Sequence, residues 1–376
     1  MEKIQMVDLY NQYKKIQSEI DAGIADVIEN TAFIKGPQVK AFESKLAEYM
    51  QVKHAISCGN GTDALQIAMM ALDLQPGDEV ITSDFTFIAT VEVIALLGLK
   101  PVLVDVNPET FLIDIPQVQE MITPKTKAIV PVHLFGQTAD MEPLLKMAER
   151  YNLYIIEDTA QAIGSDYTFK SGKQTKAGTI GHIGCTSFFP SKNLGCYGDG
   201  GALFTNDYAL GEKIRSIVNH GSSKKYYHDR IGVNSRLDSI QAAVLNAKLP
   251  RLDDYNQARQ RAADYYDRAL SSCTHIMIPK RAVWSTHCFH QYTIRITNGK
   301  RDDLKKHLLN NGIPCAIYYP VPLHAQKAFE AYEHDDAFFP VSNMLKEEVL
   351  SLPMHTELTE DQLAYITTTI LKFFNA

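Results

Sequence analysis

Short apolar runs that alternate with segments of helical periodicity constrain the fold of this chain most. Between about residues 54 and 205, four such runs are typical of strands: 78–82, 101–105, 128–132 and 154–156. A helix-period segment at 88–97 joins the first two. Continuous Val, Ile and Leu favour strands buried on both faces of a parallel sheet. The pattern predicts an α/β fold with a mostly parallel sheet and with ligands bound at the carboxyl ends of the strands.

The chain has 376 residues, which exceeds the size at which one hydrophobic core usually stops growing. Residues 237–249 and 255–270 have the periodicity of two helices separated by Pro250, and the second is polar enough to lead out of a core. Later segments predict a strand at 290–296, a helix at 302–310 and a strand at 316–319. We therefore expect a large domain over residues 1–250 and a smaller α+β domain over residues 251–376.

Composition limits the classes of partner. The net charge of -7 and the even spread of Lys and Arg argue against a nucleic-acid surface. The six cysteines form no Cys-x-x-Cys pair and have no histidine at zinc-finger spacing, so we expect reduced thiols and no metal site. The first residues lack a basic and then apolar leader, and charges interrupt the apolar stretch 91–106. We expect a cytoplasmic protein that binds small molecules and no membrane.

Lys192 is the most informative single residue. An aromatic run, Phe188 and Phe189, precedes it, and Gly195 follows it, so its amine enters a loop and not a charged face. Desolvation lowers the pKa of an ammonium and makes a neutral, nucleophilic amine accessible, which suggests Schiff-base chemistry. The alternative is a solvated surface lysine. Lys192 is informative only if the chain also supplies a phosphate site, an acid and a stacking aromatic ring.

Residues 59–65, Gly-Asn-Gly-Thr-Asp-Ala-Leu, follow a short apolar strand and open a segment with helical periodicity. The first amides of a helix lack intrahelical partners and carry the positive end of its dipole. Gly61 permits close approach and Thr62 adds a hydroxyl donor, so this segment is a candidate phosphate site. An ordinary capped helix after a turn is the alternative.

Glu157 and Asp158 stand at the exit of the strand that begins at Tyr154, and strand alternation sends their side chains to opposite faces. A carboxylate there would keep a pyridine nitrogen protonated. An acid that caps the next turn is the alternative. Phe87, just past another strand, would stack on a planar ring, although core packing is the stronger explanation for a single Phe.

Five ordered motifs together resemble one family: residues 59–65, Glu-Asp-Thr-Ala-Gln at 157–161, Ser-Phe-Phe-Pro-Ser-Lys at 187–192, Gly-Asp-Gly-Gly at 198–201 and Gly-Val-Asn-Ser-Arg at 232–236. The chain resembles the DegT/DnrJ/EryC1/StrS sugar aminotransferases over nearly its whole length. The resemblance implies the fold type I aminotransferase architecture, pyridoxal 5'-phosphate as cofactor, and a homodimer whose active sites are shared between subunits.

The resemblance also implies roles for individual residues. Lys192 would bind the cofactor covalently and move the proton, and Asp158 would pair with the pyridine nitrogen. The remaining cofactor contacts would be Phe87 stacked on the ring, Gln161 near the ring hydroxyl, Gly61, Thr62 and Ser187 on the phosphate, and Asn234 reaching the phosphate of the neighbouring subunit. No metal is implied.

Residues 220–238 resemble most closely the enzymes that aminate UDP-2-acetamido-2-deoxy-3-oxo-glucuronate for cell-surface polysaccharides. The narrower resemblance implies a nucleotide keto sugar as acceptor, L-glutamate as donor, Arg236 on a uronate carboxylate, and further substrate contacts from His220, Tyr318 and Tyr319. Tyr318 departs from the histidine of that subgroup. Lys224 and Lys225 would meet a diphosphate or belong to a solvated loop.

Three alternatives differ in what they require of the chain. An aminotransferase that acts on a 4-keto-6-deoxy sugar nucleotide would need the same catalytic residues. A sugar dehydratase of the same family would carry histidine in place of Lys192. A non-catalytic regulator that binds the cofactor would have lost the lysine or the acid, and both are present in the sequence.

Overall fold

The computed structural model describes residues 3–375. Its α-helices in this range are α1 (Leu9–Lys15), α2 (Gln17–Glu29), α3 (Pro37–Met50), α4 (Gly61–Ala71), α5 (Ala89–Leu96), α6 (Ile115–Glu120), α7 (Met141–Tyr151), α8 (Tyr208–Ile217), α9 (Ser239–Lys248), α10 (Leu252–Leu270), α11 (Arg301–Asn310), α12 (Pro340–Glu348) and α13 (Glu360–Asn375). Across the described residues, none of these helices has both the length and the apolar character needed to cross a membrane.

The strands of the same range are β1 (His54–Cys58), β2 (Glu79–Ser83), β3 (Lys100–Val104), β4 (Thr126–Val130), β5 (Tyr154–Asp158), β6 (Asp166–Thr168), β7 (Gln174–Lys176), β8 (Ile183–Ser187), β9 (Gly201–Thr205), β10 (Ser222–Lys224), β11 (Tyr227–His228), β12 (Ile276–Met277), β13 (Tyr292–Ile296) and β14 (Val349–Leu352). Seven of them form the main sheet in the order β1-β9-β8-β5-β4-β2-β3. β9 is the one strand of this sheet whose direction is opposite to that of the other six, so the predicted mostly parallel α/β sheet is confirmed.

Both faces of this sheet are buried, which explains the uninterrupted apolar runs. In β4, Val130 packs with residues of α4 and α5, whereas the preceding Ile129 packs with Leu144 of α7 on the opposite face. In β5, Ile156 packs in the same core as Val130, and Ile155 packs in the same core as Ile129. Each fully buried aliphatic side chain of this kind contributes about 1.5–3 kcal/mol. The two layers of helices therefore fix the sheet and the direction of the loops that leave it.

The last part of the chain builds a second, antiparallel sheet in the order β12-β13-β14. Its side chains form a separate core with α10, α11 and α13. The helices on either side of Pro250 are joined by a 3-10 turn, Leu249–Arg251. The domain boundary at residue 250 stays a prediction.

The strand predicted at 316–319 is wrong. Only Ala316 forms a bridge, with Ser351, and the next residues leave the small sheet. Ile317, Tyr318 and Tyr319 instead pack beside Phe85 in the large domain. The burial of these side chains against another part of the chain overrides the local preference for a strand.

His324 ties the returning segment to the end of β2. Its Nδ1 lies 2.8 Å from Asp84 Oδ2, and its Nε2 lies 3.0 Å from Asp336. The backbone amide of His324 also donates to Asp84, at 2.6 Å. Burial acts to lower the pKa of His324, but the two carboxylates outweigh it and raise that pKa. His334 lies close enough to feel the charges of Asp84 and His324, and burial lowers its pKa.

Candidate active site

The carboxyl ends of β2, β4, β5 and β8 open into one cavity of about 840 Å³. This volume is within the range of small-molecule sites. Nine of the twelve predicted site residues line it: Gly61, Thr62, Phe87, Asp158, Gln161, Ser187, Lys192, Tyr318 and Tyr319. The sequence therefore predicted the edge of the sheet and a substantial part of the cavity wall.

Lys192 lies half-buried in this cavity, in the turn that follows β8. Its backbone amide donates to the carbonyl of Phe189 at 2.8 Å, which closes the turn. Burial lowers the pKa of Lys192 to about 8, and the negative charge of Asp158 opposes this shift. The position excludes an ordinary surface lysine. A neutral amine is thus accessible at the cavity wall close to neutral pH.

The start of α4 lies at another wall of the cavity. The Asn60 side chain caps the helix by accepting from the Asp63 amide at 2.8 Å. A Cβ atom at Gly61 would lie 2.7 Å from the Ser187 Cβ, so only glycine allows this approach of α4 to the end of β8. The amides of Gly61 and Thr62 have no intrahelical carbonyl to bond, by the geometry of a helix start. The arrangement suits an anion.

Asp158 ends β5 with its carboxylate at the cavity. Its Oδ2 accepts from the Thr90 hydroxyl at 2.7 Å, and its Oδ1 accepts from the Ala160 amide at 3.1 Å. Both partners are donors, so each oxygen of the carboxylate is held in a fixed position at the cavity. Thr90 was not predicted from the sequence, because a single Thr in a helix carries no signal for this contact.

Glu157 points to the opposite side of β5 and is fully buried. Its carboxylate accepts from the amides of Gly178 at 2.8 Å and of Ile180 and Gly181 at 2.6 Å each. The fourth partner is His133, whose Nε2 lies 2.9 Å away. The Ala139 amide donates to His133 Nδ1, so Nε2 carries the proton that Glu157 accepts. The predicted alternation of Glu157 and Asp158 is therefore present in the structure.

Aromatic rings form the open side of the cavity. Phe87 is 55% exposed, which excludes core packing as the reason for its presence. Its ring centroid lies 6.4 Å from that of Tyr319. The Gln161 side chain donates to the Tyr319 hydroxyl at 3.3 Å and accepts from the Phe135 amide at 2.7 Å. Phe87 therefore presents an exposed ring at the cavity, where it can contact a planar ligand.

His290 also lines the cavity and was missed in the sequence. It is 5% exposed, and its Nδ1 has no hydrogen-bond partner within residues 3–375. Burial, with the nearby charges of Lys192 and Arg259, lowers the pKa of His290 well below its usual value. The imidazole is therefore neutral. It lies two residues before β13, within the strand predicted at 290–296, and no motif marked it as a site residue.

The other three predicted residues lie away from the Lys192 cavity of their own chain. Arg236 lines a separate cavity of about 130 Å³ with Lys35, Arg215 and Glu43. Arg215 pairs with Glu43 at 3.0 Å, whereas Arg236, within the described range 3–375, has only a weak contact of 3.4 Å to Asn219. Asn234 and His220 are exposed.

Lys224 and Lys225 belong to the exposed hairpin of β10 and β11. Their amines lie over the rings of Tyr227 and Tyr226, at 5.3 Å and 5.2 Å from the centroids. Neither lysine lines the Lys192 cavity. Within one chain, the structure thus favours the solvated loop over the diphosphate contact.

A model of the DegT/DnrJ/EryC1/StrS aminotransferase family matches residues 14–371. The chain belongs to this family. Pyridoxal phosphate is therefore its cofactor, and the protein is a sugar-nucleotide aminotransferase.

Curated relatives are similar over almost their whole length. A pleiotropic regulatory protein of Geobacillus stearothermophilus is 46% identical, with 99% of this chain and 98% of the relative covered. UDP-2-acetamido-2-deoxy-3-oxo-D-glucuronate aminotransferase of Pseudomonas aeruginosa is 45% identical, with coverage of 94% and 96%. UDP-N-acetyl-3-dehydro-α-D-glucosamine 3-aminotransferase of Acidithiobacillus ferrooxidans is 45% identical, with coverage of 98% and 97%.

A crystal structure of a DegT/DnrJ/EryC1/StrS aminotransferase from Brucella abortus has a TM-score of 0.94 to this protein. The two chains are 42% identical, and the match covers 99% of this chain and 100% of the other. The fold type I architecture expected from the motifs is confirmed.

The cavity fits pyridoxal phosphate. The cofactor needs an amine for its aldehyde, an acid for its ring nitrogen and donors for its phosphate. Lys192, Asp158 and the start of α4 present these groups around one cavity. The close approach of Gly61 to Ser187 brings the Ser187 hydroxyl beside the helix start, so both can donate to one phosphate.

Proposed function

We propose that this aminotransferase moves an amino group from L-glutamate to the 3-keto carbon of UDP-2-acetamido-2-deoxy-3-oxo-glucuronate, in a pathway for cell-surface polysaccharide. The observation that carries the proposal is what the two relatives at 45% identity share in their names. Both names describe a UDP-linked sugar with an acetamido group and a 3-keto carbon. A relative at 38% identity is named for a dTDP-linked sugar instead.

The roles of the chain's own residues follow from the cavity. Pyridoxal phosphate, when bound, supplies a carbon that carries the amino group and a ring that withdraws electrons. Lys192 would hold and move the proton at the substrate carbon, since its amine is neutral in about half of the molecules at pH 8. Asp158 would keep the ring nitrogen protonated. Phe87 would orient the ring, and the start of α4 with Ser187 would bind the phosphate.

The remaining predicted residues support a homodimer with shared sites. Asn234 is exposed, yet the backbone around it is fixed by a bridge to Asn219. A polar side chain held at the surface in this way is suited to enter a neighbouring subunit. Asn234, Arg236 and His220 would then complete the Lys192 cavity of the partner. The nucleotide sugar would lie between the subunits.

Arg236 would distinguish the uronate from the glucosamine acceptor. The two substrates differ at C6, which is a carboxylate in one and a hydroxymethyl group in the other. Arg236, Lys35 and Arg215 gather positive charge around one small cavity, and Glu43 neutralises only Arg215 directly. An arginine without a carboxylate partner is suited to bind a substrate carboxylate through two hydrogen bonds.

The test compares the two acceptors, which differ only at C6, with mass detection of the aminated sugar and L-glutamate as donor. A bidentate, desolvated contact costs about 2–4 kcal/mol when lost. Arg236→Gln should therefore lower kcat/KM about 30- to 900-fold for the uronate and change it little for the glucosamine acceptor.

Arg215→Gln is the matched control, because Arg215 lines the same cavity but already pairs with Glu43. Arg215→Gln should change kcat/KM by the same factor for both acceptors. If Arg236→Gln lowers kcat/KM equally for both acceptors, Arg236 does not bind a uronate carboxylate, and the uronate is refuted as the acceptor. A wild-type preference for a dTDP-linked 4-keto-6-deoxy sugar would replace the acceptor altogether.

A further inference from the structure

Ser235 connects two parts of the chain that meet only in the folded protein. Its hydroxyl accepts from the Gly59 amide at 2.8 Å and donates to Asp63 Oδ2 at 2.6 Å. Ser235 is 2% exposed, and its own amide donates to the Val218 carbonyl at 3.1 Å. The Ser235 hydroxyl thus accepts one hydrogen bond and donates another, both at the turn that leads into α4.

Asp63 is an unusual residue to find at an anion site. It is the third residue of α4 and lines the Lys192 cavity beside Gly61 and Thr62. A carboxylate at this helix position can turn to the positive end of the helix, and in a capping box such a side chain bonds the amide of the residue that precedes the helix. In that conformation it would occupy or repel the place of a phosphate. Its charge would act against the cofactor.

The structure holds the Asp63 carboxylate elsewhere. The oxygen that bonds Ser235 faces a buried residue that does not line the cavity. A Cβ atom at Gly59 would lie 3.1 Å from Asp63 Oδ2 and 3.2 Å from Ser235 Oγ, so the carboxylate is packed against the glycine backbone. The amides of Gly61 and Thr62 are thereby left to an external anion.

We propose that Ser235 is a positioning residue, which holds the Asp63 carboxylate away from the helix start and so keeps the phosphate site of the cofactor open. The inference rests on the proposed placement of the phosphate at the start of α4. Without the hydroxyl, the carboxylate is free to turn to the first amides of α4 and to compete with the phosphate.

Binding measurements on the full-length protein freed of cofactor test this inference. Pyridoxamine phosphate is the probe, since it does not bond covalently to Lys192, and pyridoxamine is the same molecule without the phosphate. Ser235→Ala should raise the Kd for pyridoxamine phosphate about tenfold, because a free carboxylate beside the dianion is repulsive. The Kd for pyridoxamine should stay within about threefold of the wild-type value.

The double variant Ser235→Ala/Asp63→Asn tests whether the Asp63 charge causes the weaker binding of pyridoxamine phosphate. Removal of the negative charge should return the Kd for pyridoxamine phosphate to about the wild-type value. Asp63→Asn alone should bind the phosphate form at least as tightly as the wild type. Ser239→Ala is the matched control, since the buried Ser239 hydroxyl also accepts from a glycine amide, that of Gly36, but holds no carboxylate.

Each other outcome has a separate meaning. Equal weakening of both probes in Ser235→Ala would show a merely structural serine, and failure of Asp63→Asn to restore binding would exclude competition by the carboxylate. A wild-type protein that binds the two probes equally would instead refute the placement of the phosphate. If Ser235→Ala does not fold, Ser235→Cys carries the same comparisons, because a thiol accepts and donates only weakly.

Discussion

Replacement of Asp158 by Asn tests which of two adjacent carboxylates acts on the cofactor. Asn has nearly the same shape, so its oxygen can keep the hydrogen bond from the Ala160 amide, and the Thr90 hydroxyl can turn to accept from the new amide group. The substitution therefore removes a charge and leaves the packing. Any loss of rate then reports on electrostatics.

The expected size of the effect follows from the hydrogen bond that loses its charge. A hydrogen bond to a charged group contributes about 1.5–3 kcal/mol. At about 1.36 kcal/mol for each factor of ten, kcat/KM should fall about 10- to 150-fold. The charge of Asp158 also raises the pKa of Lys192, so that pKa should drop below about 8 in the cofactor-free variant.

The assay follows the half-reaction with L-glutamate by the change in cofactor absorbance under single-turnover conditions. Glu157→Gln is the control. Its new amide group would face backbone donors, so the thermal midpoint should fall, and because Glu157 acts on the cavity only through the backbone of β5, the rate should fall less than in Asp158→Asn. Normal turnover in Asp158→Asn beside an inactive Glu157→Gln would refute the assignment.

Three further predictions concern separate parts of the molecule. In cofactor-free protein, the Lys192 amine should react with trinitrobenzenesulfonate at pH 8 about 100-fold faster than an ordinary lysine, of which only about 0.3% is neutral; peptide mapping to another lysine would contradict this. Refolded mixtures of inactive Lys192→Ala and weakened Asn234→Ala should regain activity, and no recovery despite proven subunit exchange would exclude shared sites. The raised pKa of His324 means that its stabilisation is fully present below about pH 6.5 and is lost as the pH rises through the folded-state value. His324→Gln should therefore lower the thermal midpoint more at pH 6 than at pH 9, and a pH-independent difference would refute the ion pair with Asp84 and Asp336.

The sequence predicted the sheet well because the strands are short and buried on both faces. Such strands can be recognised from local residue type alone, and their carboxyl ends then locate Lys192, Asp158 and Phe87 at one edge. The strand at 316–319 failed for the opposite reason. Tyr319 is placed by its contact with Phe85, more than 200 positions earlier, which no local pattern encodes.

The residues that the sequence did not reveal act through distant partners. Ser235 lies 176 positions from Gly59 in sequence, and His290 reaches the cavity from the second sheet. Neither carries a local signal, because a buried serine or histidine is ordinary in any core. Contacts of this kind become visible only when the fold brings the two segments together.

Adjacent acids at the end of β5 show how one strand serves two purposes. Glu157 accepts four hydrogen bonds on the closed side of the sheet, including three from the loop that leads into β8. Asp158 faces the cavity, and its backbone amide and carbonyl are held by Pro131 and His133. Because His133 also donates to Glu157, the buried carboxylate fixes the same backbone that presents Asp158. The strand period of two thus separates the acid that fixes the backbone from the acid that faces the cavity, and neither can exchange places with the other without a shift in register.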